Sequence, residues 1–182
     1  MDRFKKWQDQ NSPTKNRFAA LLLGALIFPT LIPVLLILVL PKVDERLGIG
    51  SFYSGWGNIL VGVVAIVAGG ILALWTIENQ IRLASGTPFP MLPTQKLLIV
   101  GPFKYCRNPM TLGTIMAYGG ISILIGSYAA VAAVVLLAGF LIAYLKLVEE
   151  KELEIRFGSE YVAYKKNTPF MIPTLKKRNG LQ

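Results

Sequence analysis

Charged residues fall in a few short clusters along the chain, and long apolar runs lie between them. Residues 18–40, 57–77 and 109–125 carry no charge, and residues 128–148 carry only Lys146. A bilayer core about 30 Å thick is crossed by about 20 apolar residues in a helix. The pattern therefore predicts an all-α integral membrane bundle of four transmembrane helices. Pro29 and Pro33 are expected to kink the first. Gly126 and Ser127 alone separate the last two, which predicts a tight antiparallel hairpin. The first run is too long for a cleavable signal peptide and has no small-residue cleavage site after it. With no internal repeat and no low-complexity segment, residues 1–182 read as one membrane domain.

Small residues recur four apart at Ala65, Gly69 and Ala73, at Gly113 and Ala117, and at Gly139 and Ala143. Such spacing lets helix backbones approach closely in lipid, so these stripes predict packing seams.

Composition supports the membrane reading: hydrophobic residues make up 53% and charged residues 16%. Soluble domains carry about 25% charged residues. The single cysteine, Cys106, forbids an internal disulfide. The absence of histidine removes the commonest general base and metal ligand, and no metal site is expected. Lys and Arg total 19 against 10 acids. In this context the excess reads as topology and lipid contact, with no nucleic-acid partner. Basic residues collect before the first run, in the connection after the second, and in the tail, whereas Lys42 and Arg46 are offset by Asp44 and Glu45. Both termini and the Arg82–Asn108 connection are therefore expected on the cytoplasmic side. The N-terminal basic cluster and Lys176-Lys177-Arg178 should touch anionic headgroups.

Candidate chemistry concentrates in TIENQIRLASGTPFPMLPTQKLLIVGPFKYCRNP, residues 76–109. Pro88, Pro90 and Pro93 impose an extended path, and the apolar residues 97–100 suit the membrane interface. A long ordered loop against a bundle is usually functional, the alternative being an interfacial anchor. Pro109 fits the first position of the third span, with Asn108 as its N-cap. Unpaired N–H groups and the dipole there attract an anion, with Arg107 as a clamp or a snorkelling cation. Glu149-Glu150, followed by Glu152 and Glu154, close the fourth span. Carboxylates oppose the dipole at a helix C-terminus, so the helix should continue past Glu154 and stop at Phe157-Gly158. Tyr161 and Tyr164 follow on a short amphipathic turn. The acids either form a solvated face balanced by Lys146, Lys151 and Arg156, or one Glu receives a hydrogen bond from a ligand.

GTPFP, LLIVGPFKYCRNPMTLG and EEKELEIRFGSEYVAYKKNTPFMIP, in that order around an uncharged hairpin, resemble the isoprenylcysteine carboxyl methyltransferase and phospholipid methyltransferase superfamily of membrane enzymes. The resemblance covers residues 86–173 and is to prokaryotic members, which implies the inner membrane. It implies S-adenosylmethionine as methyl donor and a lipophilic acceptor, the carboxylate, amine or hydroxyl of an isoprenoid or lipid, at the cytoplasmic boundary. It further implies cofactor contacts from Gln95, Lys96, Leu97, Leu98, Gly101, Phe103, Asn108, Pro109, Met110, Thr111 and Glu149. Arg107, Glu150, Tyr105 and Tyr161 are the candidate catalytic residues, the last three as bases for an acceptor that must lose a proton. Many relatives have Arg-His-Pro where this chain has Arg107-Asn108-Pro109; Asn caps a helix but cannot shuttle a proton near neutral pH. Animal prenylcysteine enzymes carry an Arg shortly before the acidic pair, where this chain has Leu145, Lys146, Leu147 and Val148. Two other readings stay open. One is an NADPH-dependent reductase of the sterol reductase type using Lys96, Lys104 and Arg107 for a phosphate; the other is a non-catalytic lipid-binding protein.

Overall fold

The computed structural model describes residues 26–53, 55–84 and 97–173. The start of the first apolar run, the three loop prolines, Gln95, Lys96 and the terminal basic clusters lie outside them. Among the described residues all regular structure is helical. Five helices follow in order: α1 Ile27–Arg46, α2 Trp56–Ala84, α3 Pro109–Ile125, α4 Tyr128–Phe157 and α5 Ser159–Asn167, with a 3-10 turn at Gly101–Lys104. Helices α1, α2 and α4 are long and apolar enough to cross a membrane. Helix α3, expected as the third of four spans, is apolar but has 17 residues, the short end of the spanning range of about 17–25. The protein is a membrane protein.

Three prolines, Pro29, Pro33 and Pro41, fall within α1, and the helix widens around them. It takes π-helical turns at Ile27–Leu31 and Leu35–Val39. The amide of Ile32 donates to the Ile27 carbonyl, and the next bond of that ladder would need an N–H at Pro33, which has none. The Phe28 carbonyl left over accepts a hydrogen bond from the Tyr118 hydroxyl of α3 at 2.5 Å. Lipid offers no water to do the same, so the tyrosine removes a cost of several kcal/mol per group. Tyr118 belongs to a core of Leu36, Ala130 and Val134 that joins α1, α3 and α4.

On its other side α3 packs antiparallel against α2 through glycines. A Cβ on Gly113 would sit 2.6 Å from the Gly69 carbonyl oxygen, and one on Gly120 would sit 2.7 Å from that of Gly62. Gly69, Ala73, Gly113 and Ala117 meet here as their spacing predicts, and Gly62 with Gly120 extends the seam. Gly139 of α4 has open space around it and takes no part in packing within the described chain.

The α3–α4 hairpin turns at Gly126, whose φ of +67° favours glycine. The Ser127 hydroxyl accepts from the Ala130 amide and so caps α4. Buried Asp44, from the end of α1, accepts from the Ser127 hydroxyl at 2.6 Å and from the Ala129 amide at 2.9 Å. A carboxylate at a helix N-terminus is favourably placed in the dipole field. The Ser51 hydroxyl and the Phe52 amide donate to the Gly126 carbonyl, and the Asn58 amide donates to that of Ile123. This end of the bundle is thereby fastened by the α1–α2 connection.

At the opposite end α4 continues through the acidic residues to Phe157, and Gly158 ends it with φ +54° and a hydrogen bond donated by its backbone N–H to the Glu154 carbonyl. Within α4 lies a π-helical turn, Leu145–Glu149, in which the Glu150 amide donates to the Leu145 carbonyl. That five-residue step stacks Glu150 over Leu145, and both are buried.

Candidate active site

The end away from the Gly126 turn encloses a cavity of about 200 Å³. Phe28 of α1 and Gln80 of α2 reach it, as do Leu97, Leu98, Phe103, Arg107 and Asn108 from the connection. Helix α3 contributes Pro109, Met110, Thr111 and Thr114. Leu141, Tyr144, Leu145, Glu149, Glu150, Glu152, Leu153 and Arg156 come from α4, and Tyr161 and Tyr164 from α5. Its lining is apolar where α4 contributes Leu141, Leu145 and Leu153 and acidic where it contributes Glu149, Glu150 and Glu152.

Ion pairs, hydrogen bonds and ring contacts bring the distant segments together. Arg107 forms a buried ion pair with Glu150 Oε1, and Lys165 Nζ of α5 takes Glu150 Oε2 at 2.7 Å and Glu154 at 2.8 Å. Residues 168–170 strap the start of α3: the Arg107 amide donates to the Pro169 carbonyl at 2.9 Å, and the Asn108 side-chain amide to that of Phe170 at 3.0 Å. The Phe170 ring lies under the Arg107 guanidinium, 5.6 Å from its centroid, with Lys146 5.0 Å from the same centroid. The Tyr164 hydroxyl donates to the Phe103 carbonyl at 2.8 Å and anchors the connection to α5.

These contacts change several expected roles. Asn108 stands at the cap position of α3, but its side chain makes no cap bond because the strap carbonyl takes its amide. Arg107 is already paired with Glu150, although its Nε is buried without a hydrogen-bond partner. Both carboxylate oxygens of Glu150 are occupied by cations, which leaves little capacity to take up a substrate proton. Burial, then the Glu150 charge, raise the Tyr161 hydroxyl above its ordinary pKa against opposing effects of Arg107 and Lys165. A phenol so placed stays protonated at neutral pH.

Leu97, Leu98, Phe103, Arg107, Asn108, Pro109, Met110, Thr111, Glu149, Glu150 and Tyr161 all line the cavity. Gly101 and Tyr105 do not: Gly101, at φ +57°, is pressed against the Asn79 side chain, and Tyr105 is 41% exposed. Gln95 and Lys96 lie outside the described residues. Lys104 is exposed away from the cavity. With three glutamates in the lining and Arg107 paired, the described residues offer no basic cluster for a 2′-phosphate. Sequence reasoning did not single out Gln80, Thr114 or Tyr144. Gln80 stood in the quoted stretch but looked like any polar residue at a helix end.

Cys106, just before α3, is 1% exposed, and burial pushes its thiol up to about 11. Since the thiolate is the reactive form, a water-soluble maleimide is expected to leave the folded protein unlabelled at neutral pH and to label it fully after SDS unfolding. Mass spectrometry checks this, and rapid labelling of the folded protein would contradict the burial.

The sequence profile of the phospholipid methyltransferase family matches residues 58–160, more than half of the chain. The chain belongs to that family. It is also similar to the methanethiol S-methyltransferase of Pseudomonas deceptionensis, at 27% identity over 148 residues covering 78% of this chain and 52% of the relative. The chain thus spans about half the length of the curated relative it matches. No solved structure matches it.

Proposed function

We propose that the protein transfers a methyl group from S-adenosylmethionine to a lipophilic acceptor at the cytoplasmic edge of the membrane, with both termini on that side. The observation that carries this is a set of unpaired groups around one cavity. Arg107 Nε is an orphan donor there. The Met110 and Thr111 amides, in the first turn of α3, have no intrahelical acceptor and suit a carboxylate. Glu149 lines the cavity with no hydrogen-bond or ion-pair partner among the described residues, and suits an ammonium or ribose hydroxyl. Leu97, Leu98 and Phe103 form an apolar wall for a heterocycle. These residues fit the cofactor, which when bound supplies a methyl group already activated by its sulfonium.

What the chain must add is placement. Holding donor and acceptor in line accounts for about 7–11 kcal/mol of barrier without a covalent intermediate. Phe28, Met110, Thr114, Leu141 and Leu145 line the inner part of the cavity between α1, α3 and α4, a surface for an apolar acceptor arriving from lipid. Glu150 is tied up and Tyr161 is held protonated, so neither serves as a base, and Glu149 is the lining carboxylate left to take a proton. An ionised carboxylate acceptor needs no base, whereas a thiol, such as the one in the relative's name, must first lose its proton.

Calorimetric titration of the detergent-solubilised protein with S-adenosylhomocysteine tests the reading, with NADPH as control. Micromolar binding is expected for the wild type. Glu149→Ala should weaken it by about 10–100-fold, the worth of a hydrogen bond to a charged group. A wild type that ignores the nucleoside, or a Glu149→Ala variant that binds it unchanged, would overturn the assignment.

A further inference from the structure

We propose that Gln80 reads the adenine base, a role that rests on the cofactor reading above and assigns one residue within it. Gln80 is the α2 side chain that reaches the cavity, and its Oε1 is buried there with no hydrogen-bond partner. An unpaired buried carboxamide is costly for the fold, and an apolar residue of similar size would avoid the cost. Its neighbours show which part of a ligand it faces. The preceding residue, Asn79, lies against Gly101, where a Cβ would come within 2.7 Å of Asn79 Oδ1. Gln80 therefore adjoins the Gly101–Lys104 turn, and it shares the cavity with Leu97, Leu98 and Phe103. The groups suited to the methionyl end, Arg107 Nε and the first turn of α3, come from outside α2. Adenine presents an amino donor beside a ring-nitrogen acceptor, and a carboxamide answers both at once. Apolar walls with one carboxamide at their edge form a base pocket that recognises a 6-amino purine.

The test is a binding comparison of S-adenosylhomocysteine with S-inosylhomocysteine, in which a carbonyl replaces the 6-amino group. Wild type, Gln80→Leu and Gln80→Glu are titrated calorimetrically in detergent, with thermal melts confirming the fold of each. The wild type should prefer the adenine form by at least about ten-fold, as a bidentate amide contact implies. Gln80→Leu should lose that preference by weakening adenosyl binding while leaving the inosyl form nearly unchanged. Gln80→Glu, which keeps an acceptor oxygen but loses the donor to the ring nitrogen, should weaken adenosyl binding and retain only part of the preference. If Gln80→Leu discriminates as the wild type does, or the wild type does not discriminate, the assignment of Gln80 is overturned while the cofactor reading stands. If the wild type binds neither nucleoside, the cofactor reading fails and takes this assignment with it.

Discussion

Glu150→Ala is expected to destabilise the protein by about 3–5 kcal/mol, because it strands a buried partner charge. Arg107 and Glu150 are each only 10% exposed, and Lys165 closes the other carboxylate oxygen. Removing the carboxylate leaves two cations facing each other at the junction of the connection, α4 and α5. Replacing both members of the inner pair, Arg107→Leu with Glu150→Leu, should recover much of the stability, since no unpaired charge then stays in the pair. The double variant should still bind S-adenosylhomocysteine poorly, because Arg107 Nε lines the cavity. Unfolding by SDS titration, followed by circular dichroism, gives the stabilities and calorimetry gives the binding. A single variant within about 0.5 kcal/mol of wild type, the range of ordinary surface changes, would show that the pair is not buried in the membrane-bound protein.

The second large effect is expected in the α2–α3 seam. Gly113→Ala places a methyl 2.6 Å from the Gly69 carbonyl oxygen and 2.8 Å from the Ala73 amide nitrogen. Both neighbours are backbone, so the helices themselves must part. Overpacking of this kind costs about 1–3 kcal/mol, and parting also shifts Met110 and Thr111, one turn away in the cavity wall. Gly119→Ala on the same helix is the control: nothing lies within 4 Å of its added methyl. It should be neutral or gain the roughly 0.5–1 kcal/mol by which alanine exceeds glycine inside a helix. Equal melting temperatures for the two variants would remove the close crossing.

Most of the helical frame was legible as charge-free runs, because lipid forces every backbone group into a helix and leaves apolar length as the signal. The continuation of α4 to Gly158 was legible too, since acids at a helix C-terminus are unfavourable unless the helix goes on. The π turn at Leu145–Glu149 was not, for its sequence suits an α-helix equally well and tertiary packing selects the register. Nor was the Arg107–Glu150 pair, which joins residues 43 apart in sequence. Each charge had a nearer partner on paper, and the fold alone brings these two together. The strap escaped for another reason: it acts through the Pro169 and Phe170 carbonyls, which every residue possesses. Pro29 and Pro33 announced a distortion of α1, but not that Tyr118, 90 residues beyond Phe28, would supply the missing donor.

The strap also orders events during synthesis. Helices α1, α2 and α3 leave the ribosome well before residues 168–170, and the glycine seam and the Tyr118 bond need only those three. The Gly126 turn and its Asp44 clamp are complete soon after, at the start of α4. The start of α3, by contrast, keeps the Arg107 amide and the Asn108 side chain without their carbonyls until Pro169 and Phe170 emerge. Assembly therefore runs from the far end of the bundle towards the cavity, and a nascent chain already folded in the bilayer holds no finished pocket until its last described turn has been made.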